Sequence, residues 1–116
     1  MNKPFIYNVV FASLIDGSST TTTITLGSDA DFELHEIRTT GTNNVRVQIK
    51  ETSGNQWSNS PFNANVIGAG INGFRLAVPF TISKATQLDV TITNNSGSTI
   101  QANNFEVDLI GYKITQ

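Results

Sequence analysis

Gly73-Phe74-Arg75-Leu76-Ala77-Val78-Pro79-Phe80 is the stretch on which the fold turns. Phe74, Leu76, Val78 and Phe80 occupy every second position, with Arg75, Ala77 and Pro79 between them. A strand sends successive side chains to opposite faces, so this pattern predicts one face of two Phe, a Leu and a Val that is buried, and one small or polar face. Pro79 has no N–H to give to a neighbour, which places the strand at a sheet edge or at a corner where the chain bends. A sheet with so apolar a face needs a second layer against it.

The flanking segments repeat the period of two. Val45, Val47 and Ile49 alternate with Arg46, Gln48 and Lys50, and Leu88, Val90 and Ile92 alternate with Asp89, Thr91 and Thr93. Both read as strands with one wet face. Thr20 to Leu26 is β-branched almost throughout, with Thr22, Ile24 and Leu26 on one face. Phe32 and Leu34 share a phase that Ile37 leaves, which predicts a β-bulge near His35-Glu36. The last strand carries Phe105, Val107 and Leu109 in one phase and Ile110, Tyr112 and Ile114 in the other, which predicts a second bulge or bend beside Gly111. A short, irregular strand is expected within residues 60–67. Asp16-Gly17-Ser18-Ser19 and Gly27-Ser28-Asp29-Ala30 are turn chemistry, and Asn94-Asn95-Ser96-Gly97-Ser98 is a hairpin signal.

Phe5 to Ile15 is apolar and follows Lys3, as the core of a secretion signal would. Pro4, Tyr7 and Asn8 interrupt it and no small-x-small cleavage site follows, so it is expected to be the first strand, from about Pro4 to Ala12. It is also too short to span a bilayer. The sum is seven or eight short strands, no sustained helical period and no linker. The expectation is one all-β domain over residues 1–116. Its architecture is an antiparallel β-sandwich, with an eight-stranded jelly roll as the leading topology and an immunoglobulin-like sandwich as the alternative.

The chain of 116 residues is polar but poorly charged: 14% of it is Asp, Glu, Lys or Arg, and the net charge is −2. Nucleic-acid binding needs clustered basic residues, and the seven here are scattered, so no nucleic-acid partner is expected. Cysteine is absent, which excludes disulfides, zinc–thiolate sites and a thiol nucleophile. That fits assembly in a reducing cytoplasm.

The familiar site chemistries do not assemble. His35 is the single histidine, and no Gly-x-Ser-x-Gly elbow accompanies it, so a catalytic triad is not expected. Asp29-x-Asp31 resembles half of a calcium loop but lacks its glycine and its closing glutamate, and reads as a solvated turn. Glu106 and Asp108 share a face as a carboxylate pair, and ordinary outward strand charges account for them. Gly68-Ala69-Gly70-Ile71-Asn72-Gly73 spells G-x-G-x-x-G but leads into a strand, where no helix N-terminus exists to hold a phosphate. No enzyme activity, metal or cofactor is expected.

Gln56-Trp57-Ser58-Asn59-Ser60-Pro61-Phe62 places two large aromatics among amides and hydroxyls. Trp57, Asn59 and Phe62 are therefore candidates for a protein or sugar contact. The alternative is that Trp57 closes the open end of the sandwich as a core plug. Phe5, Phe11, Ile110, Tyr112 and Ile114 exceed what one core needs, which adds Tyr112 as a contact candidate and points to a homo-oligomer.

Residues 28–37, the Val45–Ile49 strand, Phe74 to Phe80 and the terminal run 105–114 together resemble small virion proteins of tailed bacteriophages, the capsid decoration or cement type. The resemblance is one of sequence style and covers well over half the chain. It implies a non-enzymatic jelly-roll subunit carried in many copies on the outside of a phage head. There it would bind and stabilise the major capsid protein, having assembled in the host cytoplasm. It implies no nucleic-acid or membrane partner. A carbohydrate- or receptor-binding module of a virion is the alternative, with Trp57 and the Asn-rich loops as its motive.

Overall fold

The computed structural model describes the backbone of residues 2–39, 44–57, 62–63, 74–102 and 104–114, and the side chains of all these except 62–63 and 74–77. It is all-β, with two antiparallel sheets. The strands are β1 (Asn2–Val10), β2 (Ser19–Thr25), β3 (Asp31–Thr39), β4 (Val45–Glu51), β5 (Phe62–Asn63), β6 (Phe74–Ile82), β7 (Gln87–Asn94) and β8 (Glu106–Ile114). One sheet has the order β1-β8-β3-β6 and the other β2-β7-β4, with the two-residue β5 paired beyond β4.

The alternating positions meet in one core. Phe32, Leu34, Val107 and Leu109 of the first sheet and Val47, Ile49, Val90 and Ile92 of the second belong to a single buried cluster. Every predicted inward residue of β4 and β7 is buried. Phe11, counted in the sequence as surplus, is a core residue packed on the ring of Phe105, with centroids 6.0 Å apart.

The ends of the core are closed by polar side chains that tie the sheets together. At one end, the Tyr7 hydroxyl accepts the Gly27 N–H at 2.9 Å while its ring meets Phe32 edge-on. The Lys113 ammonium lies 4.1 Å from the Phe5 ring centre and 3.2 Å from both Asp29 oxygens. At the other end, Asn94 is fully buried. Its amide nitrogen donates to the Leu14 and Ser98 carbonyls, each at 2.9 Å, and its oxygen accepts the Ser96 N–H and hydroxyl at 3.0 and 2.7 Å. A buried amide is tolerated only when so satisfied.

The bulge expected near His35-Glu36 is present. Leu34 pairs with Gly111 and Glu36 with Ile110, leaving His35 as the extra residue. The bend expected in the last strand at Gly111 is absent: β8 runs in unbroken register with β1 from Ile114 to Glu106. The irregularity belongs to the neighbouring strand. A Cβ on Gly111 would lie 2.0 Å from the Glu33 carbonyl oxygen, so glycine is what lets the bulged backbone of β3 settle there. Ile110, Tyr112 and Ile114 thus lie on the outer face by ordinary alternation.

Two further expectations are corrected. Asn94 to Ser98 does form a turn, with Gly97 at φ 94°. It does not join a hairpin, because β7 and β8 lie in different sheets, and the turn instead starts the crossing between them. The Phe74–Phe80 face is not wholly buried either: Val78 is 78% exposed and Phe80 44%. β6 pairs with β3 at Phe80–Leu34 and again at Arg75–Glu36, so four of its residues, 76–79, oppose the single His35. The excess cannot stay in the ladder, and Pro79 has no N–H with which to hold it there. The edge position inferred from Pro79 is correct, since β6 ends its sheet. The first strand starts earlier than expected, at Asn2, and ends at Val10.

Gly111→Ala drives a methyl into the β3 backbone. It is expected to lower unfolding stability by about 3 kcal/mol, the upper range for overpacking a rigid site. Chemical denaturation measures this, and a loss under about 1 kcal/mol contradicts the close approach.

Candidate functional site

The two outer faces of the molecule differ in chemistry. On the β2-β7-β4 sheet, outward hydroxyls bond across the strands: Ser19 to Thr93 at 2.8 Å, Thr21 to Thr91 at 2.7 Å, and Thr23 to Asp89 at 2.6 Å. Arg46, Gln48 and Lys50 continue this face on β4. These hydroxyls are bonded across the strands, and among the described residues the face offers no apolar anchor.

The outer face of β1-β8-β3 is divided. At one end the register sets Ile6 opposite Ile110 and Pro4 opposite Tyr112. Ile6, on the edge strand β1, is 56% exposed, and Tyr112, on its neighbour β8, is 38% exposed. Beside them the bulge turns His35 and Glu36 to this side in succession, His35 half-buried and Glu36 covered by its neighbours. These residues, with Phe5 and Gly111, line a shallow concavity of about 380 Å³. The His35 ring meets Tyr112 edge-on at 5.1 Å, and its Nε2 lies 2.7 Å from Glu33 Oε1. Glu36 is buried and bonded by the Arg38 guanidinium.

At the other end of this face Asn8 donates its amide to Glu106 at 2.9 Å and to Asp108 at 2.5 Å. The Glu106 carboxyl is held above its ordinary value, chiefly by a hydrogen bond shared with Asp108 and then by desolvation and the Asp108 charge. Asp29 is shifted the other way, held low first by its bond to Lys113.

The sequence-derived contact residues separate in space. Tyr112 lies on the divided face. Trp57 is half-buried against the core and meets Phe80 edge-on at 5.8 Å. Its backbone N–H donates to the Ile49 carbonyl at 3.0 Å. Its indole nitrogen is buried, and no described group bonds it. The backbone of Phe62 pairs with Val47. Asn59 and the glycine-rich run 68–73 lie outside the described residues.

His35 has a carboxylate and a phenol as neighbours, not an activated hydroxyl. The acidic turn is used structurally, Asp29 by Lys113 and Asp31 by the Lys84 N–H at 2.9 Å. Among the described residues no cluster of His, Asp and Glu could hold a metal ion, and no helix is long and apolar enough to cross a membrane. Pro4 and Ile6 were missed as surface residues. Their signal was available: in the β1 register they sit out of phase with Tyr7 and Val9, which face the core.

No protein-family model matches the chain, and no curated protein does. Among solved structures it is similar to Salmonella Typhimurium PliG, a periplasmic lysozyme inhibitor of g-type lysozyme. The identity is 5%, the TM-score 0.45, and the likeness covers 96% of this chain and 88% of that one.

The Glu106–Asp108 pair has a pH signature. Because the fold raises the Glu106 pKa, its contribution to stability is full below the ordinary carboxylate value and is lost as pH rises through the folded value. Glu106→Gln is expected to flatten that slope and raise the unfolding midpoint at neutral pH. Thermal unfolding from about pH 4 to 7 checks it.

Proposed function

We propose that this chain is a non-enzymatic structural protein of a virion, a decoration subunit that binds the outside of a phage head. It docks there through the Ile6–Tyr112 end of the β1-β8-β3 outer face. The observation that carries the docking surface is the contrast between the two outer faces. One is a closed hydroxyl ladder, whereas the other exposes Pro4, Ile6 and Tyr112 around a concavity. An exposed apolar cluster with a polar rim marks an interaction surface, and aromatic anchors of this kind carry much of the energy of an interface.

The partner, the major capsid protein, comes from the sequence resemblance to decoration and cement proteins. The jelly-roll topology belongs to the same proposal. It is supported by strand orders in which neighbours in sequence alternate between sheets, β4 and β5 excepted. Many copies on a shell would let each contact stay modest, and avidity would supply the rest.

Purified protein mixed with decoration-free heads is expected to co-sediment with them and raise their heat stability. Ile6→Lys and Tyr112→Lys should each weaken binding by about 2 kcal/mol, roughly thirtyfold. Thr91→Lys on the opposite face should leave it unchanged. No binding by the wild type, or equal loss from Thr91→Lys, contradicts the proposal.

A further inference from the structure

Four strands end the two sheets, and three of them are blunted. β1 carries Lys3 and Pro4 on its exposed length. β6 carries Pro79 and the register slip opposite His35. β5 is two residues long. Short strands, proline, charge and bulges are the devices by which proteins keep sheet edges from pairing with other chains.

β2 has none of them. Ser19–Thr25 contains no charge and no proline, and it pairs with β7 in unbroken register over all seven residues. Among the described residues β7 is its only ladder partner, and none of them bonds the N–H and C=O groups on its other side. The strand is also tied to β7 by side chains, since Ser19, Thr21 and Thr23 are each hydrogen-bonded to it. Such ties lower the entropy cost of adding a strand.

We propose that β2 joins two copies of this chain edge to edge, antiparallel about a two-fold axis at Thr22. The occupant is a second copy because the strand is complementary to itself. About Thr22, Thr21 falls opposite the partner's Thr23, Thr20 opposite the partner's Ile24, and Ser19 opposite the partner's Thr25. No like charges meet, and Thr–Thr and Ser–Thr pairs repeat those already made with β7. The half-buried Ile24 gains cover from the partner strand. An isologous contact of this kind closes at two copies.

Antiparallel edge pairing sets the two-fold perpendicular to the joined sheet and keeps both inner faces on the same side. Both β1-β8-β3 outer faces then point the same way. On the proposed function, the pair would meet one surface with two docking faces at once; the edge contact itself does not depend on that function.

Sedimentation equilibrium of the purified chain, without any shell, tests the contact. The wild type is expected to rise from the 12.5 kDa of one chain toward twice that mass with concentration. Thr21→Lys/Thr23→Lys sets like charges opposite each other across the two-fold and should weaken association at least tenfold. Thr21→Glu/Thr23→Lys sets opposite charges there, beside Asp89 for the lysine, and should restore association in a salt-sensitive way. Circular dichroism checks that both variants fold. A wild type that stays at one chain mass overturns the proposal. So does association that both variants leave unchanged, or that both abolish equally.

Discussion

The approach of the Glu33 carbonyl to Gly111 is the constraint on which the rest of the structure depends. A side chain at that position would occupy the space of the β3 backbone. With glycine there, β3 carries one extra residue, and its phase changes between Leu34 and Glu36. Phe32 and Leu34 face the core before the bulge, and Ile37 and Thr39 after it. Without the phase change Ile37 would point outward and Glu36 inward, burying a carboxylate among Leu109 and Val107. The bulge therefore keeps one core continuous along a nine-residue strand.

The same bulge shapes the outer face. It delivers His35 and Glu36 side by side, next to Tyr112 and Ile110, and forms a wall of the concavity on that sheet. It also sets β6 out of step, because four residues there must pass one residue of β3. The slack appears as the exposed Val78, at an edge where Pro79 discourages pairing. Core continuity, surface concavity and edge protection thus share a local cause. Among the described residues the opposite sheet has no such irregularity. Its strands stay in register, its hydroxyls pair off, and its edge strand β2 stays straight and open.

Much of this was legible in the chain. Period-two alternation located the long strands, and the phase slip between Leu34 and Ile37 located the bulge. Pro79 narrowed its strand to a sheet edge or a corner before any sheet order was known, and β6 does end its sheet. What failed did so for non-local reasons. The apolar phase change at Gly111 looked like a bend in β8, but β8 is regular: Ile110, Tyr112 and Ile114 are outer-face residues, and Gly111 accommodates a bulge in β3 that the local sequence cannot show. The turn at Asn94–Ser98 has hairpin chemistry, yet whether it returns to the same sheet depends on Asn94 being buried and bonded to Leu14, eighty residues away. Pro4 and Ile6 escaped notice because they sit in an apolar run where core and surface residues alternate.

The proposed docking uses one outer face of the protein and leaves the other free. Covalent footprinting of the chain alone and bound to decoration-free heads compares the two faces directly. Ile6 and Tyr112 are expected to lose most of their labelling on the shell, while Lys50 and the outward threonines of β7 keep theirs. Unchanged labelling at Ile6 and Tyr112 in a bound sample, or protection on the threonine face instead, would contradict it.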